Sequence, residues 1–297
     1  MLETDLLLDR RRLKRRLNFW RVAAVLAVTA AIAAIAVPGV GHGGRHLARV
    51  NVTGIITEDQ RRDDAVLALA KDRSVPAVIV SIDSPGGAVA GGESLRSALM
   101  RVAAAKPVVA VMRGTAASAG YMVALPAERI FARSATLTGS IGVILQTGEV
   151  SGLLSRLGIT AEAITSGPLK DQPSFTRPLT PEGREYLNGL VAEMYQQFVA
   201  MVAEARHLDL DTVRKLADGR AYTGRQAKDL GLIDELGGEV EARAWLATRH
   251  GISESTPVRD LKRGDFYDRT FGSAFNGMRT LLFGEVATGF WSIWPGL

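Results

Sequence analysis

The 297-residue chain contains no cysteine, which excludes disulfides and thiolate chemistry. Histidine is scarce: the four histidines stand at positions 42, 46, 207 and 250, so none falls between residues 47 and 206, where the small-residue loops lie. No cluster of His, Asp or Glu has a metal-ligand spacing such as HExxH. We therefore expect no metal and no other cofactor, and a serine nucleophile would lack its usual histidine base.

Positive charge is unevenly distributed along the chain, whose net charge is +5. Residues 1–21 carry seven basic and three acidic side chains, while the remainder carries 29 basic and 28 acidic ones. Since the excess belongs to one terminal stretch, the sequence does not predict a nucleic-acid partner.

A basic cluster at residues 10–16 precedes a charge-free run from Val22 to Gly44. A helix over Leu17–Val37 would be roughly 31 Å long, enough to cross a bilayer core. The predicted segments are a cytoplasmic basic tail over 1–16, a transmembrane anchor over 17–37 and a linker over 38–46. The positive-inside rule then places the rest across the membrane. The alternatives are a signal peptide cleaved near Ala34–Ala36 and a buried soluble helix.

Apolar runs of strand type alternate with helical patterns beyond residue 46. The predicted strands are His46–Thr57, Ala77–Ile82, Val108–Met112, Arg129–Ala132, Ile141–Leu145 and Thr160–Ile164. The predicted helices are Glu93–Ala105, a long helix from an N-cap at Thr180 to about Arg206, and Glu239–Arg249. This alternation predicts an α/β domain with a buried sheet over residues 47–250.

Residues 251–297 form an aromatic and basic tail, with tryptophans at 291 and 294. Two interpretations stay open. The tail either packs on the domain or a neighbour, or contacts a membrane surface, where Trp and Phe beside Arg are favourable.

Lysine is the rarer cation, with seven lysines against 29 arginines. Lys170 stands in the loop sequence SGPLKD, residues 166–171. Arginine does not deprotonate, whereas a desolvated lysine can serve as a base. A solvated loop lysine is the alternative interpretation.

Ser118 stands in GTAASAGY, residues 114–121. Its small neighbours would let a carbonyl approach the hydroxyl, and a helix start would offer amide donors. The glycines of DSPGG, residues 83–87, end a predicted strand and suit an oxyanion hole. The alternatives are an N-cap serine and an ordinary strand-to-helix turn.

Five motifs occur in order: DSPGG, GTAASAGY, TGSIGVI, SGPLKD and AYTGRQAKDLGLIDELGG. Together they resemble the signal peptide peptidase A (SppA) family of serine proteases, in its single-domain bacterial type, over residues 47–245. The resemblance implies a Clp/crotonase-like spiral of ββα units. It also implies a membrane-attached homo-oligomer resembling an octamer.

The same resemblance implies that Ser118 is the nucleophile, that Lys170 is its general base and that Ser140 orients the lysine. The backbone N–H groups of Gly86 and Ala119 correspond to the oxyanion-hole donors. Ala119 replaces the glycine usual in the family, and the segment Ser174–Arg177 departs from the family pattern.

The function expected from the resemblance is a membrane-anchored serine endopeptidase that cleaves remnant signal peptides and other extended, apolar peptides. Its expected location is the bacterial inner membrane, with lipid and peptide as partners. The alternatives are a Clp-class membrane protease with other substrates, a crotonase-fold acyl-CoA enzyme and a non-catalytic membrane scaffold.

Overall fold

The computed structural model describes residues 16, 18–27 and 44–261, together with the backbone of residues 291–293. The chain divides into two compact units, Met1–Gly44 and Arg45–Leu297. In the first unit, residues 18–27 are helical. Most of the predicted span over 17–37 lies outside the described residues. No helix within these ranges is long and apolar enough to span a membrane.

Three long strands form the centre of a nine-stranded sheet: β1 (Leu47–Ile56), β2 (Val78–Ala88) and β3 (Val108–Ala117). They pair in parallel in the order β3-β2-β1. The other strands are β4 (Arg129–Ala132), β5 (Leu137–Gly139), β6 (Ala221–Thr223), β7 (Glu235–Leu236), β8 (Val258–Asp260) and β9 (Trp291–Ile293). The order β6-β5-β3-β2-β1-β8 runs through the sheet; β4 and β7 extend it beside β3, and β9 pairs with β2.

Eight helices stand between the strands of the second unit's described part. They are α1 (Gln60–Leu69), α2 (Val89–Ala103), α3 (Ala119–Ala124), α4 (Ser151–Arg156), α5 (Pro181–Arg206), α6 (Leu210–Leu216), α7 (Gly224–Asp229) and α8 (Glu239–His250). Thr180 caps α5 by accepting from the Gly183 N–H, and proline occupies its first turn.

Alternate residues of β2 belong to two hydrophobic cores, one on each face of the sheet. Val78, Val80 and Ile82 lie in the larger core, which includes residues of α2 and α3. Ile79 lies in the smaller core with Ala242 and Leu246 of α8. Because both faces are covered, the strand reads as a continuous apolar run. The predicted α/β class with a buried sheet is confirmed.

β2 and β3 stop pairing with each other near their carboxyl ends. The two pair from Val78 and Val108 as far as Ser84 and Ala116. Beyond that point, residues Gly86–Ala88 of β2 pair with β9 instead of β3. On its other side, β3 pairs first with β4 and then with β5. The divergence of β2 from β3 positions the candidate site.

Two predicted strands were wrong. Residues 141–145 hold no strand, because the chain leaves the sheet at Ser140, where φ is +48°. Residues 160–164 are likewise irregular; Ile164 is 97% exposed, so the apolar pattern there does not face a core. The strand Arg129–Ala132 and the helix beginning at Thr180 are confirmed.

Candidate active site

Ser118 occupies a sharp turn between β3 and α3. Its backbone has φ 56° and ψ −119°, a region that non-glycine residues rarely adopt, and the residue is 1% exposed. Such strain persists where the surrounding structure over-determines it, and it is typical of nucleophilic serines on strand-to-helix turns.

Three hydrogen bonds hold this turn. The Ser118 N–H donates to Gly139 O at 2.8 Å, and the Thr138 hydroxyl donates to Ala116 O at 2.8 Å. The Tyr121 hydroxyl, on α3, donates to Leu232 O at 2.7 Å, and burial raises its pKa. Every residue of α3 is buried. The turn is therefore fixed by the core on one side and by β5 on the other.

The last part of β2, from Ser84 to Ala88, contains a buried serine that the sequence interpretation overlooked. Ser84 is fully buried, and its hydroxyl donates to Gly54 O at 2.7 Å. The same oxygen accepts from the N–H of Gly86 at 3.1 Å. Gly86 has φ +116°, a conformation that favours glycine. The Gly86 N–H is thus engaged, and a substrate carbonyl would have to replace the Ser84 oxygen. The position of Ser84 before Pro-Gly-Gly was the available signal.

The Ser118 turn packs directly against this part of β2. A Cβ at Gly120 would lie 2.9 Å from Ser84 O, and a Cβ at Gly92 would lie 3.1 Å from the Ala119 Cβ. Ala119 is the first residue of α3, where a backbone N–H has no intrahelical acceptor. The structure thus brings Ser118 and Ala119 close to the end of β2 that contains Ser84 and Gly86.

Ser140 follows the residue that accepts the Ser118 N–H. It has φ 48° and is 4% exposed. Its hydroxyl donates to Gly219 O at 3.1 Å, and its N–H donates to Arg220 O at 2.9 Å. Ser140 therefore belongs to the neighbourhood of the nucleophile turn, where its hydroxyl binds the 219–220 loop.

Lys170 lies in an exposed turn, and its side chain forms no ion pair or hydrogen bond with a described residue. The neighbouring carboxylate of Asp171 pairs with Arg177, which lowers the pKa of Asp171. Asp171 therefore has Arg177, and not the adjacent Lys170, as its ion-pair partner among the described residues. A lysine base must be desolvated, and the Lys170 side chain is exposed in the single chain. It also forms no hydrogen bond with Ser118.

A cavity of about 570 Å³ opens beside Ser140. Its walls combine the segment after β5 with α5 and the loop after α6, and they are mostly apolar. The apolar lining residues are Val143, Ile144, Val191, Ala192, Tyr195 and Ala217. Apolar cavities with few polar groups are typical ligand sites, and this one could receive an apolar side chain.

The geometry defines the class of this protein: an α/β protein with a strained, buried serine at a strand-to-helix turn. The chain matches the profile of peptidase family S49 over residues 100–253. It is 42% identical over 211 residues to a putative protease from Synechocystis, covering 70% of this chain and 76% of the relative. It is 31% identical over 232 residues to a putative signal peptide peptidase SppA from Enterococcus faecium, covering 73% and 67% respectively. The chain belongs to peptidase family S49.

A solved structure of a ClpP1 mutant from Listeria monocytogenes is 20% identical, with a TM-score of 0.44. The match covers 64% of this chain and 91% of that one. The Clp/crotonase-like spiral stays a prediction, and so do the roles assigned to Ser118, Lys170, Ser140, Gly86 and Ala119.

Proposed function

We propose that this chain is a serine endopeptidase that cleaves extended, apolar peptides, with Ser118 as its nucleophile. The observation that carries the proposal is the strained Ser118 turn, packed against Ser84 near the end of β2, in a member of a peptidase family. Membership in that family also speaks against the acyl-CoA alternative.

The proposed reaction is acyl transfer. Neutral Lys170 accepts the Ser118 proton while the serine oxygen attacks the peptide carbonyl. The N–H groups of Gly86 and Ala119 stabilise the oxyanion; removal of one such donor typically costs about 10²–10³ in rate. The C–N bond then breaks as Lys170 returns the proton to the leaving amine, and water hydrolyses the acyl-enzyme.

This mechanism requires Lys170 to be desolvated, which the isolated chain does not achieve. We propose that a second copy of the chain covers the segment that carries it. Large apolar side chains exposed along this segment support an interface there: Ile144, Leu153, Leu157, Ile159, Ile164 and Phe175. The proposed role of Ser140 is to orient the lysine once it is in place.

The apolar cavity beside Ser140 supports apolar peptides as substrates, and remnant signal peptides are the proposed physiological class. The charge pattern of residues 1–44 supports an inner-membrane anchor with the peptidase on the extracytoplasmic side.

The test uses the full-length protein, a fluorophosphonate probe and internally quenched apolar peptides. We expect the probe to label the wild type at Ser118 and the peptides to be cleaved. Ser118→Ala should abolish both, whereas the exposed Ser97→Ala control should retain both. Lys170→Ala should abolish cleavage, and Lys71→Ala should not. Cleavage that persists in Ser118→Ala would refute the proposal. If Ser118→Ala is inactive but Lys170→Ala still cleaves, Ser118 remains the nucleophile and Lys170 is not its general base.

A further inference from the structure

A small polar cavity lies on the face of the sheet that α8 covers. On this face the smaller core includes Val111 and Phe131. Because side chains alternate along a strand, Arg113 and Arg133, each two residues further on, follow on the same face. Both line a cavity of about 180 Å³, together with Ser81 of β2 and the start of α8. The sheet face thus changes from apolar to polar where α8 begins.

Ser81 carries a buried hydroxyl group without a partner in the described part of the chain. The residue is 5% exposed, and its hydroxyl forms no hydrogen bond with any described residue. Buried hydroxyl groups in native proteins are nearly always hydrogen-bonded, because an unsatisfied one has lost its water without compensation. Since Ser81 lines the cavity, a polar group bound there is a partner that this hydroxyl can reach.

Two arginines beside Ser81 have guanidinium groups that are not engaged by the fold. Neither Arg113 nor Arg133 forms a side-chain ion pair or hydrogen bond with a described residue. Their main chains are joined through the buried Thr136, whose hydroxyl accepts from the Arg133 N–H at 3.0 Å and donates to Arg113 O at 2.6 Å. The two side chains therefore leave the backbone from fixed, neighbouring positions.

The third arginine of the cavity is already neutralised. Arg49 lines the cavity with Glu239, and the two side chains pair at 3.0 Å. The Arg49 Nε also donates to Asp260 at 2.6 Å. Arg49 therefore fixes one wall of the cavity, and the charge available to a ligand is that of Arg113 and Arg133.

A carboxylate beside the cavity limits the charge of that ligand. Glu241 lies in the first turn of α8, where its Oε2 accepts from the Gly238 N–H at 2.6 Å. This bond lowers the pKa of Glu241, and attraction to Arg133 adds to the effect. Arg113 and Arg133 carry one positive charge each, and Glu241 offsets one of the two. A singly charged ligand is therefore favoured over a doubly charged one.

We propose that the cavity between Ser81, Arg113 and Arg133 binds the carboxylate group of a small organic acid. The planar guanidinium fork matches the two oxygens of a carboxylate, whose remaining lone pairs can accept from the Ser81 hydroxyl. The cavity volume of about 180 Å³ is several times the roughly 30 Å³ of one water molecule, so a carboxylate with a few further atoms fits. The site lies on the opposite face of the sheet from α3, and the inference does not depend on the proposed peptidase function.

The test measures heat unfolding of the full-length protein in increasing sodium acetate, with sodium chloride at equal ionic strength as the reference. A ligand that binds only the folded state raises the midpoint, and the concentration dependence gives Kd. We expect a saturable rise for the wild type. Arg113→Gln and Arg133→Gln should each raise Kd by about tenfold or more, because a charge-assisted hydrogen bond is lost. Arg101→Gln removes the same charge from an exposed position on α2 and should leave Kd unchanged.

Ser81→Ala separates a ligand-binding hydroxyl from a structural one. This variant should raise Kd for acetate about threefold to tenfold, while its midpoint in chloride alone should not fall, because the lost hydroxyl had no partner. A lower midpoint in chloride would show that the hydroxyl serves the fold and would overturn its role as a donor. An acetate effect no larger than that of chloride, or one that persists unchanged in both arginine variants, would overturn the site. Inorganic phosphate that binds more tightly than acetate would overturn the carboxylate class.

Discussion

All residues from Ala116 to Leu125, around Ser118, are buried, whereas no residue between 142 and 173, around Lys170, is buried. The first region is held by the sheet, by α3 and by hydrogen bonds to residues far along the chain. The second contains one short helix, α4, with no buried residue. The chain's own core thus determines where the serine stands, and leaves the proposed base to be positioned by further contacts.

The largest effect that tests this difference is expected at Lys170. Lys170→Arg keeps the charge but cannot accept a proton, so kcat/KM should fall by about 10²–10⁴-fold. Stability should change by less than about 0.5 kcal/mol, because the side chain is exposed. Peptide cleavage and chemical denaturation measure the two quantities.

The exposed Lys71→Arg serves as the control for this substitution and should retain full activity. Activity that persists in Lys170→Arg would show that the base lies elsewhere.

A smaller effect separates glycines of the two regions. Gly120→Ala brings a methyl group to 2.9 Å from Ser84 O, so we expect about 1–3 kcal/mol of destabilisation and a reduced kcat. Gly152→Ala in α4 meets no atom within 4 Å and should stabilise by about 0.4–1 kcal/mol, without loss of activity.

Urea denaturation of both variants gives the comparison directly. Equal stability changes at the two glycines would contradict the close packing of the nucleophile turn on Ser84 of β2.

The smallest effect concerns the partly buried pair of Asp171 and Arg177. Arg177 lowers the pKa of Asp171 below its ordinary value of 3.8, so the pair stabilises the folded state above that pH. This contribution is lost as the pH falls through the folded-state pKa. The stability difference between wild type and Arg177→Ala should therefore be small at pH 7 and decrease towards pH 3. A difference that grows on acidification would assign the effect to another group.

The sequence predicted the α/β class, the strand Arg129–Ala132 and the helix from Thr180, because apolar runs and caps are local signals. It did not predict that β2 and β3 continue to Ala88 and Ala117, since their last residues are small or polar. The hydrogen bonds of Ser84 were likewise inaccessible, because Gly54 lies thirty residues earlier.

The sequence by itself determined which chemistry is available: serine and lysine without cysteine, in motifs that resemble one peptidase family. Tertiary structure alone decided that Ser118 is strained and buried and that Lys170 is exposed. It also decided that β9 pairs with Gly86–Ala88 of β2. Residue type is a local property of the chain. Strain, desolvation and strand pairing arise from contacts between residues distant in sequence, which the fold brings together.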